Sequence, residues 1–162
     1  GGGKLTTISN TTKDPGMEFN ETEIHQWLYN GKGQPQKVWR ILNGKDSLEV
    51  RFSSDDSNNV ADEYLIKRGF GVDTIYYYYD DLNRLMDVVR FNTKMNRLLP
   101  DFMFEYDENN RVIQKITPMG GSMGHITWRY IYDAKGLKTK EALFNKDNGL
   151  MGKIDYLYTF AR

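Results

Sequence analysis

Among the 162 residues, the side chains able to do chemistry are two histidines, three acids in matching strand positions and a run of four tyrosines. A Ser-His-Asp triad would have to use His25 or His125 as its base. His25 shares its strand position with Leu48, Ile75, Phe102, Trp128 and Ile154, so it reads as a core or sheet-end residue. His125 follows Met119-Gly120-Gly121-Ser122-Met123-Gly124, which is Gly-rich but lacks the Lys-Ser/Thr of a P-loop. This reads as a flexible connection, and its two methionines could form an adaptable contact surface.

Glu49, Glu105 and Asp155 project the same way along their strands. Glycoside hydrolysis needs two carboxyls about 5 to 10 Å apart, and these acids are whole repeats apart in sequence. Asp55-Asp56-Ser57-Asn58-Asn59 is an oxygen-rich loop that could hold calcium. It lacks the residue order of an EF-hand loop and reads as a solvated turn. With no cysteine, disulfide scaffolds, Cys-based zinc sites, iron–sulfur clusters and thiol catalysis drop out together. No catalytic residue, metal or cofactor is expected.

Tyr76-Tyr77-Tyr78-Tyr79 is the most suggestive run. Alternation puts Tyr77 and Tyr79 on one face and Tyr76 and Tyr78 on the other. Tyr76 and Tyr78 join Glu105 and Arg129 as the candidate binding patch, since tyrosine offers a stacking face and a hydroxyl. The competing reading is a second core in which both sheet faces are covered.

These residues are positioned by a repeat. Tyr79-Asp80-Asp81-Leu82-Asn83-Arg84, Tyr106-Asp107-Glu108-Asn109-Asn110-Arg111 and Tyr132-Asp133-Ala134-Lys135-Gly136-Leu137 align directly. A fourth copy is Tyr29-Asn30-Gly31-Lys32-Gly33-Gln34; a degenerate one begins at Phe52-Ser53, and a truncated one at Tyr158-Thr159. The leading aromatics, here called anchors, are spaced 23, 27, 27, 26 and 26 residues apart. Residues two before each anchor are Trp27, Val50, Tyr77, Phe104, Tyr130 and Tyr156, a period of two that marks a strand with one buried face. Asp or Asn after the anchor can accept from backbone N–H groups ahead of it, and Gly or Asn three residues later tolerates the left-handed conformation.

Each copy therefore predicts a β-hairpin, with return strands such as Arg84–Phe91, Arg111–Thr117 and Leu137–Phe144. Looser connections are expected at 69–73, 92–101, 117–124 and 145–152, the second with one helical turn around Met95–Leu99. The expected fold is all-β: an antiparallel meander of about eleven strands, plus a first strand near Lys4–Ser9, curled into an open or closed barrel-like sheet. Residues 1–22 read as a tether with that first strand, and 23–162 as a single β domain.

Tyr-Asp-x-x-Asn/Gly-Arg inside a strand–turn–strand unit resembles the YD-repeat, or Rhs repeat, from about His25 to the end. In that family the repeats build long β-sheets that spiral into shells around toxin cargo, and carbohydrate binding has been proposed for some members. The chain is also similar to short secreted lipoproteins of Bacteroidetes-type bacteria. The period here is longer than the family's usual unit, and six copies are too few to enclose a protein. The resemblance thus implies the hairpin architecture and a bacterial periplasmic, secreted or cell-surface location, with a lipid anchor upstream of the Gly-rich start.

Composition narrows the partners. Lys plus Arg and Asp plus Glu both count 22, which disfavours a nucleic-acid partner held by bulk charge. The apolar runs are too short to span a bilayer as a helix. The expected function is a non-enzymatic binding or scaffold module contacting a glycan or an outer-membrane or cell-surface protein. The alternatives are a carrier of a small apolar ligand inside a meander barrel and, behind it, a glycoside-active enzyme.

Overall fold

The computed structural model describes residues 4–13, 16, 20–119 and 124–160. Among the described residues it is all-β, with twelve strands. They are β1 (Thr7–Lys13), β2 (Asn20–Tyr29), β3 (Pro35–Leu42), β4 (Asp46–Ser54), β5 (Val60–Lys67) and β6 (Phe70–Tyr79). Then follow β7 (Leu85–Asn92), β8 (Arg97–Tyr106), β9 (Val112–Pro118), β10 (His125–Tyr132), β11 (Lys138–Phe144) and β12 (Leu150–Asp155). Strand order in the sheet is the chain order from β1 to β12. This is the strand order of the open form of the expected meander, with β1 paired to β2 at one end of the order and β12 to β11 at the other. The chain forms two compact units, Gly1–Tyr76 and Tyr77–Arg162.

Four local expectations change. No helical turn forms around Met95–Leu99; residues 93–96 make a turn with Asn96 at φ 49°, and Arg97 onward is strand. Leu98 and Leu99 pair with Phe91 and Arg90, and ladder hydrogen bonds replace the helical ones. Two of the connections between repeats are also tight. Asn43-Gly44 and Arg68-Gly69 carry consecutive positive φ values, as short hairpin turns require. The first strand begins at Thr7 rather than Lys4, and pairs along its whole length with Asn20–Gln26.

The fourth change concerns the degenerate repeat. A β-bulge lies just before each of Tyr29, Tyr106 and Tyr132, and another just before Ser54. Ser54, not Phe52, thus occupies the anchor position, and Asp55 is the turn residue. Asp55 Oδ1 accepts from Asn59 N at 2.8 Å, and Asn58 N donates to Asp55 O at 3.0 Å. Asp80 Oδ1 likewise accepts from the amides of Leu82 and Arg84 at 2.9 Å. Phe52 stays on the anchor face two residues earlier, stacked on Trp27 with ring centroids 5.6 Å apart.

Burial is carried by aliphatic side chains between the rings. Val38 and Val50 face each other across β3 and β4 at 0% exposure, while the anchors Tyr29, Tyr79, Tyr106 and Tyr132 are half-buried and Tyr158 is exposed. In the second unit Val88 is buried opposite Phe102, and Thr127 is buried on the other face.

Candidate functional site

The site grows from cross-strand register in the second unit. Glu105 on β8 pairs with Gln114 on β9, Gln114 with Arg129 on β10, Arg129 with Ala142 on β11, and Ala142 with Lys153 on β12. These five residues form one row on the face opposite the anchors. On one side of the row Phe144 pairs with Leu150; on the other Ile131 pairs with Lys140, which pairs with Asp155. Ala142 is the short side chain among long ones. The gap it leaves is the floor of a groove of about 580 Å³, walled by Ile131, Phe144, Leu150, Arg129 and Lys153.

The walls are held in place. Arg129 Nε donates to Gln114 Oε1 at 3.0 Å, and its Nη2 donates to Asn148 Oδ1 at 3.0 Å. The same guanidinium lies over the Phe144 ring, 4.8 Å from the centroid. Lys153 and Lys140 share Asp155, at 3.2 and 3.6 Å. Hydrogen bonding to Lys153 holds the Asp155 carboxyl below its usual range. The apolar wall is open to water, with Ile131 54% and Leu150 60% exposed.

Of the four candidate binding residues, the fold brings two together: Glu105 and Arg129 line this groove. Tyr78 is 47% exposed on β6 in the same unit. Tyr76 ends the first unit, half-buried and paired with Asp62. The first unit has its own, more polar groove of about 420 Å³, lined by Trp39, Glu49, Arg51 and Tyr64.

Glu105 and Asp155, the two acids of the second unit, do not form a catalytic pair. Glu49 is held by Lys37 at 2.9 Å and Arg51 at 2.7 Å. Hydrogen bonding to Lys37 keeps its carboxyl low, the wrong direction for a general acid. Glu105 on β8 and Asp155 on β12 are four strands apart in the sheet order, roughly 19 Å at ~4.8 Å per strand. His25 Nε2 lies 2.8 Å from Glu23 Oε1 on its own strand, and His125 is exposed opposite Pro118. The carboxylate of Asp55 is taken up by Asn59. Among the described residues no group of three acids, histidines or cysteines could hold a metal ion. Residues 120–123 of the Gly-rich connection lie outside the described residues.

No family model matches the chain, and no curated protein matches it. Among solved structures it is similar to a chain in the structure of the Photorhabdus luminescens Tc holotoxin pore. That likeness has a TM-score of 0.50 and 14% identity, and covers 92% of this chain and 9% of that one. At such identity it shows the fold alone, a run of β-hairpins.

Ala142, Phe144 and Lys153 were missed by sequence reasoning. Alternation along the return strand already put Ala142 and Phe144 on one face. Only the register of β11 against β10 and β12 makes the alanine a gap between two cations.

Proposed function

We propose that this chain is a non-enzymatic binding or scaffold module of YD-repeat-like hairpins that works outside the cytoplasm. It contacts a glycan or a protein at the cell surface through the groove of the second unit. The observation that carries this reading is the open groove itself, with exposed Ile131 and Leu150 beside an arginine anchored by three partners. Exposed apolar side chains framed by fixed charges are a common mark of an interaction surface. The absence of cysteine and the resemblance of the repeat favour an extracytoplasmic setting. The carrier alternative needs an enclosed interior, and an open strand order gives it no support.

The test is surface plasmon resonance on the intact chain against a glycan panel and purified envelope proteins. Ile131→Glu combined with Leu150→Glu should abolish any interaction found, with an unchanged circular dichroism spectrum. Equal binding by the variant would move the site off this groove. Binding to none of the glycans or proteins would remove the reading.

A further inference from the structure

Resting on that reading of the groove, we infer that its occupant is an extended protein segment that presents on one face an apolar side chain with carboxylates two residues to either side of it. The inference comes from how charge is placed around the gap at Ala142. Arg129 and Lys153 flank Ala142 on the neighbouring strands β10 and β12. At ~4.8 Å per strand, the two cations stand about 10 Å apart across an apolar floor. Lys140 is a third cation, next to Ala142's row on β11. Asp155 answers only part of this charge, because it is shared between Lys140 and Lys153.

Arg129 is already oriented. Its Nε and Nη2 are engaged by Gln114 and Asn148 and its plane rests on Phe144, so little side-chain entropy is left to lose on binding. Among the described residues its Nη1 has no acceptor, which leaves donors for a carboxylate. An apolar side chain seated over Ala142, against Ile131 and Leu150, covers the exposed wall. The carboxylates two residues before and after it, on the same face of the segment, then reach Arg129 on one side and Lys153 on the other. Glu105 lies at the far end of the row, two strands from Arg129, and disfavours a second acidic cluster there. A neutral glycan would leave the charges unanswered and the floor poorly covered.

The probe is a fluorescein-labelled peptide in which leucine and glutamate take turns at every second position with serine between them, so that both lie on one face of the extended peptide, read by fluorescence anisotropy on the intact chain. A matched peptide of leucine and lysine and a neutral one of leucine and serine are the controls. The acidic peptide should bind at least tenfold tighter than either control and weaken as salt is raised. Ala142→Leu fills the gap and should cut binding at least tenfold, and Arg129→Gln should do the same. Arg129→Lys should keep part of it, because charge is retained. Equal binding of acidic and basic peptides, or full affinity in Ala142→Leu, overturns the inference. Glycan binding lost in the Ile131→Glu and Leu150→Glu variant, with no peptide binding, overturns the peptide and leaves the binding module standing. If no peptide, glycan or envelope protein binds, both are wrong.

Discussion

The hydroxyl of Tyr132 donates to the backbone carbonyl of Val112 at 2.7 Å, tying the anchor of one hairpin to the return strand of the hairpin before it. Tyr106 does the same to Leu85 and Tyr158 to Lys138, each at 2.7 Å. Tyr29 reaches Leu5 at 2.8 Å. The ring of Tyr106 carries the Arg84 guanidinium at 4.8 Å, and that of Tyr132 carries Arg111 at 4.9 Å. The motif tyrosine is thus a stitch between neighbouring repeats. Removing the hydroxyl alone isolates its share. Tyr106→Phe and Tyr132→Phe should each lower stability to urea by about 0.5–1.5 kcal/mol. No change in the unfolding midpoint for either would reduce the tyrosine to a packing residue.

The turns predict the response to acid. Asp80 and Asp107 are held below the usual carboxylate value of 3.8, Asp80 chiefly by the Arg84 amide and Asp107 chiefly by the Arg111 side chain. Glu49 and Glu141 are held below 4.5, mainly by Lys37 and Lys138. With folded-state values depressed, the unfolded chain takes up protons first. The stabilisation is present above about pH 4 and is lost as pH falls through the folded values. At the other end, burial raises Tyr106 and Tyr130 above 10.0, so that stability is present below pH 10 and lost as pH rises beyond it. Urea midpoints across pH should show a plateau with two falling shoulders. Asp107→Asn keeps the acceptor for the Asn109 and Arg111 amides but loses the Arg111 ion pair, and should flatten the acid shoulder. An unaltered acid slope in that variant would assign the shoulder to other groups.

The fourth turn position predicts which substitutions are interchangeable. Gly136 has φ 82°, while Asn83 and Asn110 hold the same place with φ 60° and 61°. A Cβ on Gly136 would meet nothing within 4 Å, so only the backbone conformation is at stake. Gly136→Ala should cost about 1 to 2 kcal/mol. Gly136→Asn should cost clearly less, because asparagine tolerates the left-handed region. Thermal unfolding of the two variants side by side decides it, and an alanine as stable as the asparagine would refute the turn geometry.

Most of this architecture was legible because it is local. The Tyr-Asp-x-x-Asn-Arg spacing specifies its own turn, and the alternating aromatics specify the strands on either side. What stayed hidden depends on pairing between strands. Leu98 and Leu99 before Pro100 suit a helical turn until Phe91 and Arg90 are seen beside them. Glu105 and Arg129 could be placed on one face by alternation, but only Gln114 between them shows that they share a row. Ala142 carries no signal of its own, because its meaning comes from the longer side chains around it.

The degenerate repeat offers the sharpest test of the stitch. Its bulge and turn are those of the other repeats, yet the anchor position holds Ser54, whose side chain cannot reach the preceding return strand. The acceptors used by Tyr106, Tyr132 and Tyr158 are Leu85, Val112 and Lys138, each the first residue of its return strand. The corresponding residue before Ser54 is Pro35, the first residue of β3. Proline lacks the N–H but keeps the carbonyl. Gln34 already donates to Asn58 at 3.0 Å, as Arg84 does to Asn110 at 3.1 Å, so the neighbouring turns are in the same relation. Ser54 is exposed, which leaves room for a ring. Ser54→Tyr should therefore stabilise the chain through the new hydroxyl–carbonyl bond by about 0.5–1.5 kcal/mol. Ser54→Phe should gain only the part due to ring burial. Equal urea midpoints for the two variants would show that the hydroxyl finds no carbonyl there, and that this repeat is stitched by the Trp27–Phe52 stack instead.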